Sequence, residues 1–229
     1  MNVAALMPVK GFRNAKQRLS PVLSCAAREL LAEAMFRDVL RQVRLARGLA
    51  GTFVVTGDDT VGAIASAAGA EVIREKVENG ETLAVDFARA ELKRAGCESV
   101  LIIPGDMPLV RASDFEYVIA QVPIDAAAPF ALLVPSHDRL GTNALLLAPP
   151  DVIKLRFGYD SFTFHLSQLT AQGLPARFIE NENIALDIDE PRDLERFLSY
   201  GLKDGEATQV ALKLLAEQYA SESPRSGDV

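Results

Sequence analysis

Cysteine is scarce in this sequence: Cys25 and Cys97 stand far apart with no paired spacing. That excludes a disulfide framework and a zinc knuckle, and makes a reducing cytoplasm the expected compartment. There are only two histidines, His137 and His165, too isolated for a histidine metal site. Basic charge is not in excess: 24 Lys+Arg against 31 Asp+Glu give a net charge of −7, which weighs against a general nucleic-acid binder. No apolar run approaches the roughly 20 residues of a membrane helix, so no membrane partner is expected. The short apolar run Met1–Val9 has no basic leader or cleavage site and reads as a strand, not a signal peptide. Three common signatures are missing: G-x-x-x-x-G-K-[ST], G-x-G-x-x-G after the first strand, and G-x-S-x-G. A P-loop, a Rossmann dinucleotide site and a hydrolase nucleophile elbow are thereby disfavoured.

What is present is apolar and alternating. The apolar share is 49%, enough for a sizeable core and too much for a disordered chain. Strand-type runs fall at Val3–Met7, Thr52–Thr56, Glu71–Ile73 and Val100–Ile103. Between them lie helical segments: Cys25–Ala46, with Leu30, Leu31, Ala34, Val39 and Leu40 near helical spacing, then Asp59–Ala68 and Leu83–Ala95. A capping box, Ser113–Glu116, opens another helix to about Val122. Such alternation predicts a three-layer α/β domain with a mostly parallel sheet. The second half is less regular, with strands at Phe130–Val134, Ala144–Leu147 and Ala176–Ile179, and helices at Phe162–Gln172 and from Pro191. A last helix is expected at Thr208–Ala220 and a frayed tail at 221–229, so residues 1–220 read as one domain.

Four features can carry chemistry. The loop after the first strand holds Lys10, Arg13, Lys16 and Arg18 and no acid. Lysine and arginine at the C-terminal end of a strand suit a polyphosphate, and the competing reading is a solvated loop. Next, Asp106 follows a buried strand in Pro104-Gly105-Asp106-Met107-Pro108, a context that equally suits a plain turn. In Asp187-Ile188-Asp189 the two carboxylates share a side of an extended segment while Ile188 faces away. Two such carboxylates repel unless a cation lies between them, and magnesium favours oxygen ligands of this kind. The alternative is that Asp189 or Glu190 merely precedes a helix starting at Pro191. Lastly, Thr142 and Ser161 offer hydroxyls and Gly158 permits close backbone approach. Ser161 lies at a helix start, where free N–H groups favour an anion or where the serine serves as an N-cap. His165 lines the same pocket or packs in its helix, and packing is the reading its isolation favours.

Together these segments resemble the guanylyltransferases of coenzyme F-420 biosynthesis, the family of 2-phospho-L-lactate and phosphoenolpyruvate guanylyltransferases. The resemblance runs from Val3 to about Leu198. It rests on P-V-K-x-x-x-x-A-K-x-R-L at Pro8–Leu19, G-D-x-P at Gly105–Pro108 and G-T-N at Gly141–Asn143. F-G-x-x-S-F-x-x-H at Phe157–His165 and D-x-D-x-P-x-D-L at Asp187–Leu194 complete it. It implies a fold similar to the nucleotide-diphospho-sugar transferases and transfer of GMP from GTP to a phosphorylated three-carbon acid. It further implies magnesium on Asp106, Asp187 and Asp189, the acid on Thr142, Gly158 and Ser161, and GTP phosphates on Lys10, Arg13, Lys16 and Arg18. Lys10, Lys16 and Asp106 would then be catalytic. The acceptor favoured is phosphoenolpyruvate, with 2-phospho-L-lactate or 3-phospho-D-glycerate as alternatives. A downstream transferase of the pathway would take the product, and the protein would be a monomer or homodimer. Near the guanine pocket, where the family opens a helix with a G-L-N-type sequence, this chain has Glu78-Asn79-Gly80-Glu81-Thr82-Leu83. A sugar-phosphate or molybdenum-cofactor nucleotidyltransferase would carry a glycine-rich loop after the first strand, which here has only Gly11. A nucleotide-binding protein without turnover is the non-enzymatic alternative.

Overall fold

The computed structural model describes residues 2–75, 80–122, 128–201, 205–207 and 209–214. Among these residues six strands form one sheet: β1 Val3–Pro8, β2 Leu49–Thr56, β3 Glu71–Arg74, β4 Ser99–Ile102, β5 Phe130–Pro135 and β6 Thr142–Ala148. Their order across the sheet is β3-β2-β1-β4-β6-β5. The pairings β3–β2, β2–β1 and β1–β4 are parallel, while β6 runs antiparallel to β4 and to β5. The mostly parallel sheet is therefore as expected, with an antiparallel hairpin added at one side.

Alternate side chains of β1 go to opposite faces, as a pleated strand requires. Val3, Ala5 and Met7 pack with Phe36, Val39 and Leu40 of α1 (Cys25–Leu45), Val61 of α2 (Asp59–Ala67) and Phe115 of α4 (Ala112–Ile119). Ala4 and Leu6 join Val85 and Ala88 of α3 (Glu81–Arg94) and Phe162 and Leu169 of α5 (Ser161–Ala171) on the other face. That gives the three layers. A third cluster covers the outer side of α1, where Leu31, Ala34 and Met35 meet Leu186, Ile188 and Leu194 and Phe197 of α7 (Pro191–Ser199). α1 is thus buried on two sides, but Leu30, expected on its apolar face, is 55% exposed.

Three expectations change. Ala176–Ile179 forms no strand: Phe178 makes one isolated parallel bridge to Leu133. The Leu133 N–H donates to the Arg177 carbonyl at 3.1 Å and the Ile179 N–H donates to the Leu133 carbonyl at 3.0 Å. The segment then turns into a short helix, α6 (Glu182–Ala185), which the sequence pattern did not reveal. Helix α4 begins at Ala112, not after Ser113, because the Asp114 carboxylate accepts the Arg111 N–H at 2.7 Å. At the C-terminus, 206–207 and 209–214 are helical, with Ala207 and Ala211 buried against α1. Asp38 of α1 caps this segment by accepting the N–H groups of Glu206 at 3.1 Å and Ala207 at 2.8 Å. Thr208, the rest of the expected helix to Ala220 and the tail lie outside the described residues. Among the described residues no helix is long and apolar enough to cross a membrane.

Parallel strands deliver their C-terminal ends to one edge, where open α/β sheets place ligands. At that edge stand the basic loop after β1, Gly57-Asp58 after β2 and Pro104-Gly105-Asp106 after β4. The loops fit closely. A Cβ on Gly11 would come within 2.6 Å of Asp58 Oδ2, and Asp58 itself caps α2 by accepting the Val61 N–H at 2.9 Å.

Candidate active site

A larger and a smaller cavity open on this edge among the described residues. The larger, about 850 Å³, is lined by the basic loop, including Lys10, Gly11, Arg13 and Lys16, with Asp58, Glu75, Glu81, Asp106 and Asp189. The smaller, about 420 Å³, is lined by Arg18, Thr142, Asn143, Gly158, Ser161, Asp187 and Arg192 among others. They share Glu81, Pro104, Asp106 and Asp189. The structure therefore divides the basic loop: Lys10, Arg13 and Lys16 line the larger cavity, and Arg18 turns to the smaller. Arg18 Nη1 stands 3.7 Å from Asp189 Oδ2 and 3.8 Å from Glu190 Oε1.

Lys16 is the centre of the site. Its backbone is left-handed, with φ 52°, as is that of Asn14, with φ 61°, a conformation that costs a non-glycine residue roughly 1–2 kcal/mol. The bend carries the Lys16 ammonium inward, where it donates to Asp106 Oδ2 at 2.6 Å and to Asp189 Oδ1 at 2.8 Å. Burial by itself would lower the Lys16 pKa, but Asp106 and Asp189 outweigh it and hold the group above the ordinary lysine range.

The D-x-D segment is held from several sides. The Ile188 N–H donates to the Asp106 carbonyl at 3.2 Å, and Ile188 itself is fully buried. Asp193 Oδ2 accepts the N–H groups of Asp189 at 3.2 Å and Glu190 at 2.8 Å. Asp187 and Asp189 both line the smaller cavity, as the i, i+2 spacing predicts, yet they have different partners. Asp187 Oδ1 accepts from Asn143 Nδ2 at 3.0 Å, while Asp189 pairs with Lys16. Burial, then the neighbouring Asp106 charge, pushes the Asp187 carboxyl up to about 6. Burial also disfavours the Asp189 carboxylate, but Lys16 and Arg18 overcome this and bring its pKa below the usual value. The preceding-helix reading also holds: α7 starts at Pro191 with Glu190 at its N-cap position.

A hard divalent cation was expected on Asp106, Asp187 and Asp189. Among the described residues no group of three or more Asp, Glu, His or Cys side chains is arranged to hold an ion as it stands, and the Lys16 ammonium bridges two of the three carboxylates. The donor chemistry nonetheless fits. Asp106 Oδ1 is buried and accepts no hydrogen bond from the described residues, and an orphaned carboxylate oxygen beside two further carboxylates is the oxygen-rich surrounding magnesium takes.

In the smaller cavity Thr142 lies on β6 and is buried; its Oγ1 is 2.9 Å from His165 Nδ1. His165 is fully buried between Phe157 and Phe164, both edge-on at 5.6 and 5.7 Å. It therefore packs, and also bonds a pocket residue. Gly158 has φ 99° and Asp160 φ 56°, so the loop before α5 depends on left-handed positions. Ser161 is the first helical residue, and Asp160, not Ser161, takes the N-cap position.

Two residues at the site were not picked out from the sequence. Glu81 opens α3 and lines both cavities. Burial first, and Asp106 second, push its carboxyl up to about 7. Beside it, Thr82 Oγ1 accepts the Phe157 N–H at 3.0 Å, tying α3 to the Gly158 loop. The departure of Glu78–Leu83 from the expected helix start was the signal available. Glu78 and Asn79 lie outside the described residues.

Comparison with known proteins agrees with this architecture. A solved structure from Desulfovibrio desulfuricans G20, classed with the nucleotide-diphospho-sugar transferases, superposes with a TM-score of 0.74 at 18% identity over 96% of each chain. The phosphoenolpyruvate guanylyltransferase of Rubrobacter xylanophilus is 36% identical over 201 residues, 88% of this chain and 96% of that one. The 2-phospho-L-lactate guanylyltransferase of Methanothermobacter thermautotrophicus is 32% identical over 88% of this chain and 86% of its own. Residues 3–225 match the family described as guanylyl transferase CofC like, and the chain belongs to that family of guanylyltransferases.

Proposed function

We propose that the protein transfers GMP from GTP to the phosphate of phosphoenolpyruvate, releasing pyrophosphate and giving enolpyruvoyl-2-diphospho-5'-guanosine. The observation that carries this reading is the pair of cavities meeting at Asp106 and Asp189. Joining two phosphates requires two anionic substrates side by side, with positive charge between and around them. The larger cavity, with Lys10, Arg13 and Lys16, takes the GTP phosphates. The smaller one, with Thr142, Gly158, Ser161 and the N-terminus of α5, takes the phosphorylated acid.

A phosphate monoester has its second pKa near 6, so the acid's phosphate is already a nucleophile at neutral pH. Its oxygen attacks the α-phosphorus of GTP, the bond to the bridging α–β oxygen breaks, and pyrophosphate leaves. No general base is needed. The barrier is repulsion between polyanions, which the protein relieves by positioning and by cationic side chains. Magnesium held by Asp106, Asp187 and Asp189 would add charge neutralisation and polarise the phosphoryl oxygens. Lys16, tied to both Asp106 and Asp189, links the nucleotide side to the carboxylates, and Arg18 supplies positive charge on the acid side.

Phosphoenolpyruvate is favoured over 2-phospho-L-lactate and 3-phospho-D-glycerate by the name of the Rubrobacter relative. The reaction would belong to coenzyme F-420 biosynthesis in the cytoplasm, with a downstream transferase consuming the product. The test is pyrophosphate release from GTP and magnesium with each of the three acids separately. Release with phosphoenolpyruvate alone is expected. Release with none of them, from folded protein that binds GTP, overturns the function.

A further inference from the structure

The Thr142–His165 contact has a direction that the surrounding backbone fixes. The Arg156 N–H donates to His165 Nε2 at 3.2 Å, so Nε2 carries a lone pair and no proton. The imidazole is fully buried among Phe157, Phe164 and the sheet, with the guanidinium charges of Arg156 and Arg89 acting on it. Burial first, and these cations second, push the ring's pKa down to about 4, which keeps it neutral. A neutral ring with a bare Nε2 holds its one proton on Nδ1. Nδ1 therefore donates across 2.9 Å to Thr142 Oγ1.

We infer that His165 is a positioning residue that leaves the Thr142 hydroxyl proton free to donate toward the anion in the smaller cavity. Nδ1–H occupies one of the oxygen's two lone pairs, so the ring cannot take the hydroxyl proton, which is left to point into the cavity that Thr142 lines. A hydroxyl with no such partner can turn either way and pays to be ordered. This one is pre-set for a phosphate or carboxylate oxygen. The hydrogen bond between two neutral groups also avoids placing a cation in the pocket wall. The inference rests on the reading that the phosphorylated acid occupies this cavity.

Two measurements test it. The first is ¹⁵N NMR of the imidazole nitrogens in the wild-type protein at neutral pH, where His137 is the only other histidine. A neutral His165 protonated on Nδ1 is expected; a ring protonated on Nε2 overturns the inference without any ligand. The second is the affinity for phosphoenolpyruvate of His165→Asn, His165→Gln and Thr142→Val, with GTP affinity measured alongside. Asparagine can put an amide N–H near the Nδ1 position, whereas glutamine puts its amide near Nε2. Weakening of about tenfold to a hundredfold is expected for His165→Gln and Thr142→Val, the range for a lost hydrogen bond to a charged group. His165→Asn should recover most of that loss, and GTP binding should change little in all three. Equal acid affinity in His165→Gln and wild type overturns the inference alone. A wild-type protein that binds none of the three acids instead overturns the proposed function.

Discussion

Lys16 and Asp106, 90 residues apart in sequence, meet at 2.6 Å, and the same ammonium reaches Asp189 at 2.8 Å. One lysine thus compensates two carboxylates that come from different loops. Removing it leaves them to repel each other and leaves their oxygens free for a cation. For Lys16→Met we expect magnesium affinity in the absence of nucleotide to rise while turnover falls by about 10²–10³-fold, the scale of a lost charge-stabilising donor. Calorimetric magnesium titration with steady-state pyrophosphate release checks both halves. Metal affinity that falls together with turnover would mean the lysine helps to build the ion site instead of guarding it.

Asp187 pays for its position. An unfolded aspartate titrates near 3.9, but in the fold this carboxyl is pushed up to about 6 by burial and by Asp106. The folded state thus holds the proton more tightly, so the penalty is absent below about pH 4, grows between pH 4 and 6, and is complete above 6. For Asp187→Asn we expect a thermal midpoint about 2–4 °C above wild type at pH 7, the shift for roughly 1 kcal/mol in a chain of this size. The two proteins should melt together near pH 4. Turnover should drop by at least about 10²-fold with the fold intact. Thermal scans at both pH values check the sign, and wild-type turnover at saturating magnesium would sink the metal role.

The sheet and its two covering layers were legible because their signals are local and periodic. Val3–Met7, Val100–Ile103 and the α1 pattern place residues on faces without reference to anything distant. Ala176–Ile179 misled for the converse reason. Its apolar and β-type residues look like a strand, but its backbone bridges β5 at Leu133 alone among the described residues, and strand formation needs a partner ladder that the sequence does not display. The site was legible as separate pieces. Asp187 and Asp189 share a side because extended chain has period two, but that Lys16 would lie between Asp189 and Asp106 depends on a left-handed backbone at Lys16 itself, a conformation not specified by its residue type. Glu81 escaped notice because a glutamate opening a helix is ordinary, and only the fold brings it between the two cavities.

Asp193 sets the backbone of the D-x-D segment from inside α7. Its Oδ2 accepts two N–H groups, those of Asp189 and Glu190, and the residue is buried. Alanine there strands both donors. We expect Asp193→Ala to lose about 1–2 kcal/mol in urea denaturation, the cost of a lost cap, and to weaken apparent magnesium affinity by about tenfold, as for groups that orient metal ligands. Asp193→Asn keeps an acceptor oxygen at the same place and should restore most of both. Loss of stability without any change in magnesium dependence would make Asp193 a helix cap and nothing more.

His165 gives the clearest pH signature outside the carboxylate cluster. An unfolded histidine titrates near 6.5, whereas burial, Arg156 and Arg89 push His165 down to about 4. The folded state resists the proton that the unfolded chain accepts. Its contribution to stability is therefore complete above about pH 6.5, is lost progressively as pH falls toward 4, and changes no further below that. The full difference is on the order of 3 kcal/mol. Many carboxylates also titrate in this range, but they are common to wild type and His165→Asn and cancel when the two are compared. Urea denaturation at pH 7 and pH 4.5 should show wild type losing more stability on acidification than the variant, by about 2–3 kcal/mol. Curves that fall in parallel would mean that His165 protonates as readily in the fold as in the unfolded chain, and that its ring is hydrated, not sealed behind Thr142.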